Sequence, residues 1–325
     1  LNKAFSSLGS FLLFKISPIW LLGTAAGLTA FATIIGYLGS LWWIFDLFAH
    51  FRIQYFLILS ACFAVLVAVK KMRAWSLAVL PFIALNFVSV APLYFGGDSA
   101  CGKTEMRALL INVLAANKQY HMVRDFIKKS NADFVVLLEV TDQWDKNLKE
   151  LQADYPYFMS FPRNNNFGIS FFSKQKPEKL EMPEFSDITL PAVLADFIVD
   201  GKRLTLVGAH IMPPRFEGYL RKRKAQFDGI ASFVKSGKKN VIVLGDLNAT
   251  PWSADFKKFM RKSGLKDSQN GFGAQPSWPA FSVLFPLLIP IDHCLVSKNL
   301  SISDRKIGGY VGSDHFPLTV DFSIK

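Results

Sequence analysis

Acids, amides and imidazoles recur at the ends of short apolar runs in the later two-thirds of this chain: Asn112, Glu139, His210, Asp246 with Asn248, and Asp292 with Asp314 and His315. Strand ends are where a sheet can aim rigid side chains at one point. Taken singly, each residue has a plain explanation. Glu139 begins the turn Glu139-Val140-Thr141 into a helix, Asp246 turns a loop, and His315 is a satisfied surface histidine. The combination says more, because GDLN at 245–248, IDH at 291–293 and GSDHFP at 312–317 follow one another within one domain. Hydrolysis of a phosphate ester or anhydride needs neutralised non-bridging oxygens, an aligned water and a stabilised leaving group, which carboxylates with a cation and neutral donors provide. Oxygen-rich ligands favour a hard ion, Mg²⁺ or Mn²⁺, over zinc.

The elements that must position these groups are legible from apolar runs and turn residues. Strands are expected at 107–114, 134–138, 167–172, 192–199, 203–209, 241–244, 291–296 and 318–322, with helices at 120–130, 141–151, 217–235 and 253–263. Strands interleaved with fewer helices predict an α/β fold, a two-layer β-sandwich flanked by helices, whose polar strand ends meet on one rim. Cys62, Cys101 and Cys294 form no CxxC or Cys/His cluster, and a Cys101 to Cys294 bridge has no local support.

Composition divides the chain. Residues 1–102 hold six Lys/Arg and two acids, against 31 and 23 in the remainder, so the parts carry +4 and +8 of the net +12. Residues 16–45, 53–69 and 74–97 lack formal charge, and their lengths approach or exceed the roughly 20 residues a bilayer-spanning helix needs. Being apolar all round, they predict three transmembrane helices rather than core helices with one apolar face. The middle one is the shortest. Trp20, Trp42, Trp43, Tyr55, Trp75 and Tyr94 lie near the expected span ends, where interfacial aromatics belong. Lys70, Lys71 and Arg73 between the second and third spans predict a cytoplasmic loop, with Lys3 and Lys15 in agreement. Three crossings then put the later domain outside the cytoplasm, anchored in the cell membrane. The expected division is a membrane anchor at 1–97, a short flexible linker at 98–106 and a catalytic domain at 107–325.

The ordered segments LLINVL, VVLLEV, GAHIMPP, VIVLGDLN, PIDHCLVS and GSDHFPLTVDF resemble the endonuclease/exonuclease/phosphatase superfamily over residues 107–322. The preceding spans further resemble the branch containing membrane-bound VanJ-like proteins, which implies undecaprenyl pyrophosphate as substrate. By resemblance, Glu139 is the principal metal ligand, Asn112 assists directly or through water, and Asp314 completes the coordination. Asp246 orients or deprotonates the attacking water, and Asn248 holds the phosphate. His315, its tautomer fixed by Asp292, contacts the phosphate and acts as acid or base, while His210 is the second imidazole donor. One departure is Leu137-Leu138, where many relatives carry a glutamine before the glutamate.

Arg215 and Arg223, the latter in the basic run 221–224, are expected to hold a second phosphate, with a solvated helix face as the equal alternative. Residues 281–291, nearly all apolar with Pro286 and Pro290, predict a membrane-facing loop before Asp292 rather than a central strand. The expected partners are the lipid bilayer and a phosphorylated lipid; nucleic acid is the weaker expectation, and nothing points to a protein partner. Three functions follow: a lipid-pyrophosphate phosphatase at the outer membrane face, an extracytoplasmic nuclease suited to the +8 domain, and a noncatalytic membrane-bound binding module. The nuclease lacks an evident basic segment interleaved with stacking aromatics. The noncatalytic module ranks last, since every expected catalytic position holds a competent residue.

Overall fold

The computed structural model describes residues 18–96, 104–185, 190–281 and 286–325. Most of the expected linker, 98–103, lies outside these residues, as does Cys101. Cys294 is a free thiol, and burial pushes its pKa up to about 12.

Three long helices precede the later domain: α1 (Pro18–Tyr37), α3 (Arg52–Ala68), reached through short α2 (Trp43–Leu47), and α4 (Arg73–Val90). The apolar segments Trp20–Tyr37, Trp43–Ala68 and Arg73–Leu93, of 18, 26 and 21 residues, are long and apolar enough to cross a membrane. At 1.5 Å per residue they span roughly 27 to 39 Å. The charge-free run 16–45 is not one helix. It stops at Tyr37, turns through Leu38 and Leu41, and resumes at Trp43 as short α2, while α3 itself follows the expected run 53–69 closely. Large side chains such as Trp20, Leu28, Leu57 and Val88 face outward, whereas Thr33, Arg52 and Asn86 are buried between the helices. Arg52 donates to Thr33 O at 3.0 Å, and Asn86 Nδ2 donates to Thr33 Oγ1 at 2.9 Å. Polar groups buried between the apolar helices are thus satisfied against one another, although Nε and Nη2 of Arg52 have no hydrogen-bond partner among the described residues.

The later domain packs two six-stranded sheets face to face. The first has the order β11 (Leu300–Ile307), β12 (Leu318–Ile324), β1 (Glu105–Asn112), β2 (Phe134–Leu138), β4 (Ile169–Ser173) and β3 (Tyr157–Phe161). The second runs β5 (Lys179–Glu181), β6 (Val193–Val199), β7 (Lys202–His210), β8 (Val241–Asp246), β10 (Asp292–Val296) and β9 (Lys266–Asp267). Each sheet is built around one parallel pair, β1/β2 and β7/β8, and the remaining neighbours are antiparallel. A parallel pair needs a crossover, supplied by α5 (Tyr120–Ser130) in one sheet and α7 (Glu217–Lys235) in the other. With α6 (Asp142–Leu148) and α8 (Ala254–Ser263), these helices cover the outer faces.

That layering explains why the central strands are apolar without interruption. Along β2, Phe134, Val136 and Leu138 enter the core between the sheets, while Val135 and Leu137 pack beneath helices. β8 divides likewise, Ile242 and Leu244 inward and Val241 and Val243 outward. A strand buried on both faces loses the alternation of a half-exposed one. The expected strands and helices are present. β3, β5, β9 and β11 were not anticipated, being short or carrying polar residues on an exposed face.

Phe134 is fully buried where the sheets meet, its ring 4.7 Å from that of Phe197 and 6.4 Å from that of Phe322. Phe134→Ala should therefore destabilise the domain by about 3–5 kcal/mol, read as a lowered midpoint in denaturant unfolding. A midpoint equal to wild type would contradict this account of the core.

Candidate active site

Strand direction brings the polar residues to one rim. β1 and β2 run parallel, so Asn112 and the residue after Leu138, Glu139, emerge together. β7 and β8 do the same for His210 and Asp246, which are register partners. β10 is antiparallel to β8, so its first residue, Asp292, also pairs with Asp246. β12 is antiparallel to β1, and the turn before it delivers Asp314 and His315 to the same edge.

The side chains converge on the carboxamide of Asn112. Its Nδ2 donates to Glu139 Oε1 at 3.1 Å and Asp246 Oδ2 at 3.3 Å, and lies 3.5 Å from His315 Nε2. Leu114 N donates to the other end of the amide at 3.1 Å and fixes its orientation. Glu139 Oε2 accepts from Ala115 N at 3.1 Å. Asp246 Oδ2 also lies 3.4 Å from His210 Nε2 and 3.7 Å from His315 Nε2. Asp246 Oδ1 accepts from Asn248 N at 2.8 Å. Asn248 Nδ2 donates to Ile211 O at 2.9 Å and lies 3.4 Å from His210 Nε2. His315 Nδ1 donates to Asp292 Oδ2 at 2.8 Å, the link expected to set its tautomer.

Backbone geometry is specialised at the same places. Glu139 and Asn248 have φ of 62° and 49°, in the left-handed region where an unbranched or amide side chain is tolerated best. Gly245 has a steric reason: a Cβ there would lie 1.9 Å from Ala209 O on the paired strand.

Electrostatics follow from burying acids together. For His315, burial opposes protonation, yet the charges of Asp292 and Asp246, with the hydrogen bond to Asp292, raise its pKa to about 10. His210 is also raised, with burial outweighed by the hydrogen bond to Asp246 and the charges of Asp246 and Glu139. Burial works against ionisation of Asp246, but His315 and His210 hold its pKa below the ordinary carboxylate value.

Asp246, Asp292 and His315 each bring a ligand-capable atom within 4.8 Å of the others. In that group His315 Nδ1 is already bonded to Asp292, so their direct product is an oriented imidazole. Oxygen donors surround it: Glu139, and the Oδ1 atoms of Asp292 and Asp314, which are buried without a partner among the described residues. Orphaned carboxylate oxygens in a dry site require positive charge, and this donor set fits a hard divalent cation. The other Asp314 oxygen accepts from Trp278 Nε1 at 3.1 Å.

The structure brings eight of the ten expected site residues together and separates two. Arg223 is turned inward, with Nη1 donating to Met212 O at 2.8 Å and Leu247 O at 3.1 Å and Nε donating to Asp255 at 3.1 Å. It is 1% exposed, so it braces the loop after Asp246 from behind and does not face a ligand. Arg215 is exposed beyond the end of β7. Sequence reasoning missed Trp278, and also Ser313, whose Oγ donates to Asn112 O at 2.6 Å and accepts from His315 N at 3.1 Å. Ser313 stood within GSDH, where its place beside two functional residues was the available signal.

A model described as the Endonuclease/Exonuclease/phosphatase family matches residues 109–315. No curated protein matches the sequence. Among solved structures, Danio rerio TDP2 complexed with single strand DNA product is similar at 15% identity and a TM-score of 0.58, covering 68% of this chain and 100% of that one. The human Nocturnin catalytic domain with bound sulfate is similar at 20% identity and 0.56, over 70% and 97%. An endonuclease/exonuclease/phosphatase from Bacteroides vulgatus is similar at 18% and 0.55, over 69% and 100%. At these identities the likeness concerns the fold.

The pH dependence of stability tests the buried charges. His315 rises from 6.5 to about 10 on folding, so its contribution is complete below 6.5 and is lost as pH climbs through about 10. In full-length protein freed of divalent ions by a chelator, Tm should fall across that window. His315→Gln should flatten the decline, and an unchanged slope in the variant would assign it to other groups.

Proposed function

Because this chain belongs to the endonuclease/exonuclease/phosphatase family, we propose that it is a membrane-anchored, divalent-metal-dependent phosphohydrolase that cleaves a polyprenyl pyrophosphate, such as undecaprenyl pyrophosphate, at the extracytoplasmic face. The observation that carries the substrate class is the attachment of the catalytic rim to the ends of the apolar helices. Gln54 Nε2 of α3 donates to Leu288 O at 2.8 Å, in the apolar loop that leads to Asp292. Trp252 Nε1, six residues beyond Asp246, donates to Ser89 O of α4 at 2.8 Å. Phe281 and Leu287 of the loop remain exposed. A rim held at the surface of a bilayer meets phosphates at headgroup height, with apolar side chains where a prenyl tail would leave the membrane. The location outside the cytoplasm is supported by Lys70 and Arg73 between the second and third spans.

The residues divide the chemistry. A cation held by Glu139, Asn112 and Asp314 supplies charge neutralisation at the non-bridging oxygens when bound. Asp246, kept ionised, aligns the water and takes its proton as the water oxygen bonds to the terminal phosphorus. Asn248 and His210 donate to the phosphoryl oxygens as negative charge builds. The bond from phosphorus to the bridging oxygen breaks, and His315, held protonated by Asp292, gives its proton to the leaving phosphate.

A nuclease is the competing activity, with the DNA product seen in the similar Danio rerio structure and the basic domain in its favour. Full-length protein in nanodiscs with Mg²⁺ should release phosphate from a polyprenyl pyrophosphate and leave plasmid DNA and a phosphoinositide intact. Asp246→Ala should lower that rate by about 10²–10⁴-fold. Nicked plasmid would select the nuclease, and absence of metal-dependent turnover the noncatalytic module. Orientation is tested by a reporter fused after Lys325, for which cytoplasmic activity would remove the extracytoplasmic assignment.

A further inference from the structure

The loop between Asp246 and α8 is held from two directions. From the sandwich, Ile291 O accepts from Leu247 N at 3.0 Å and His293 Nε2 donates to Ala249 O at 2.7 Å. From the apolar segments, His50 Nδ1 lies 3.0 Å from Thr250 Oγ1 and accepts from Thr250 N at 3.4 Å. Asp46 Oδ2 and Oδ1 accept from Ser253 Oγ and Ala254 N, each at 2.7 Å, capping the start of α8. Residues 250, 252, 253 and 254 are thus all anchored by residues 46, 50 and 89, which lie outside the family-matched region.

We infer that His50 is a positioning residue of the phosphohydrolase site, acting on Asn248 through Thr250; the inference rests on the function proposed above. Thr250 is fully buried and His50 is 6% exposed, so this bond has no water to replace it. Nδ1 faces the N–H and the hydroxyl of Thr250, which makes it the acceptor and leaves the ring proton on Nε2. Two residues away, Asn248 sits in the left-handed region with its amide between Ile211 O and His210. Its N–H rests on the carboxylate of Asp246. Removing the acceptor at Nδ1 strands two buried donors, and the loop must shift to satisfy them. That shift reaches the side chains expected to grip phosphate and align water.

A purely structural role would cost stability and leave turnover by the folded protein unchanged. Positioning lowers kcat with little change in KM, because a displacement of about 1 Å in a reacting group costs on the order of 10²-fold. In His50→Asn the side-chain oxygen can take the place of Nδ1, whereas His50→Leu keeps bulk without an acceptor. Full-length protein in nanodiscs with Mg²⁺ would be assayed on a short-chain soluble prenyl pyrophosphate and a polyprenyl pyrophosphate. His50→Leu should lose roughly 10- to 100-fold in kcat with KM within about threefold, and His50→Asn should stay within about threefold of wild type.

Hydrogen exchange of the 248–254 amides supplies a readout that needs no turnover. It should quicken by about tenfold or more in His50→Leu and remain near wild type in His50→Asn. Thr250→Val removes the hydroxyl donor but keeps the N–H on Nδ1, so it should lower kcat and quicken exchange in the same direction as His50→Leu and by less, which covers the case of a leucine variant that does not fold. Wild-type kcat and exchange in folded His50→Leu or Thr250→Val would overturn the inference. So would a His50→Asn as impaired as His50→Leu. A wild type that turns over neither probe counts against the proposed function, and the exchange result then decides on His50 alone.

Discussion

Four carboxylates share one buried rim, and the molecule is organised around making that tolerable. Glu139, Asp246 and Asp292 are nearly inaccessible to water, with Asp314 half-buried beside them. Unpaired, such charges would cost several kcal/mol each. Asn112 donates to two of them, His315 is held protonated between Asp292 and Asp246, and the remaining orphaned oxygens call for a cation. The need for compensating charge is also what makes the rim reactive towards phosphate, since the groups that neutralise carboxylates equally stabilise a phosphoryl oxygen.

Two parallel pairs, one in each sheet, are the architectural answer. Parallel neighbours end on the same side, and their antiparallel flanks begin there, so six segments distant in sequence deliver side chains to one edge without long excursions. The strands are buried on both faces and rigid, which limits the freedom each side chain loses when the site forms. Two of the left-handed residues, Glu139 and Asn248, occur where the chain must leave a strand and immediately present a polar side chain.

The apolar helices are joined to this rim by directional bonds as well as by packing. Ala49, Val90, Leu93 and Trp252 form a small shared core, and around it lie the contacts of Asp46, His50, Gln54 and Ser89 with loops 250–254 and 281–291. Nonpolar packing tolerates sliding between bodies, whereas buried hydrogen bonds fix one arrangement. The segment 43–51 serves mainly as a bracket between the helices and the later domain.

Local chemistry determined the elements and the chemical class. Uninterrupted Val, Ile and Leu runs mark strands buried on both faces, their polar terminators mark the rim, and the charge-free stretches mark the three long helices, because each depends on residues close in sequence. Proximity in space belonged to the tertiary structure. Arg223 and Arg215 read alike as exposed cations, yet helix packing turns one inward beneath Leu247 and leaves the other in water. Nothing local singles out His50 and Asp46, because their partners stand about two hundred residues away. Hydrogen bonds over that separation carry no local periodicity or propensity, so only the packing of helices against loops could reveal them.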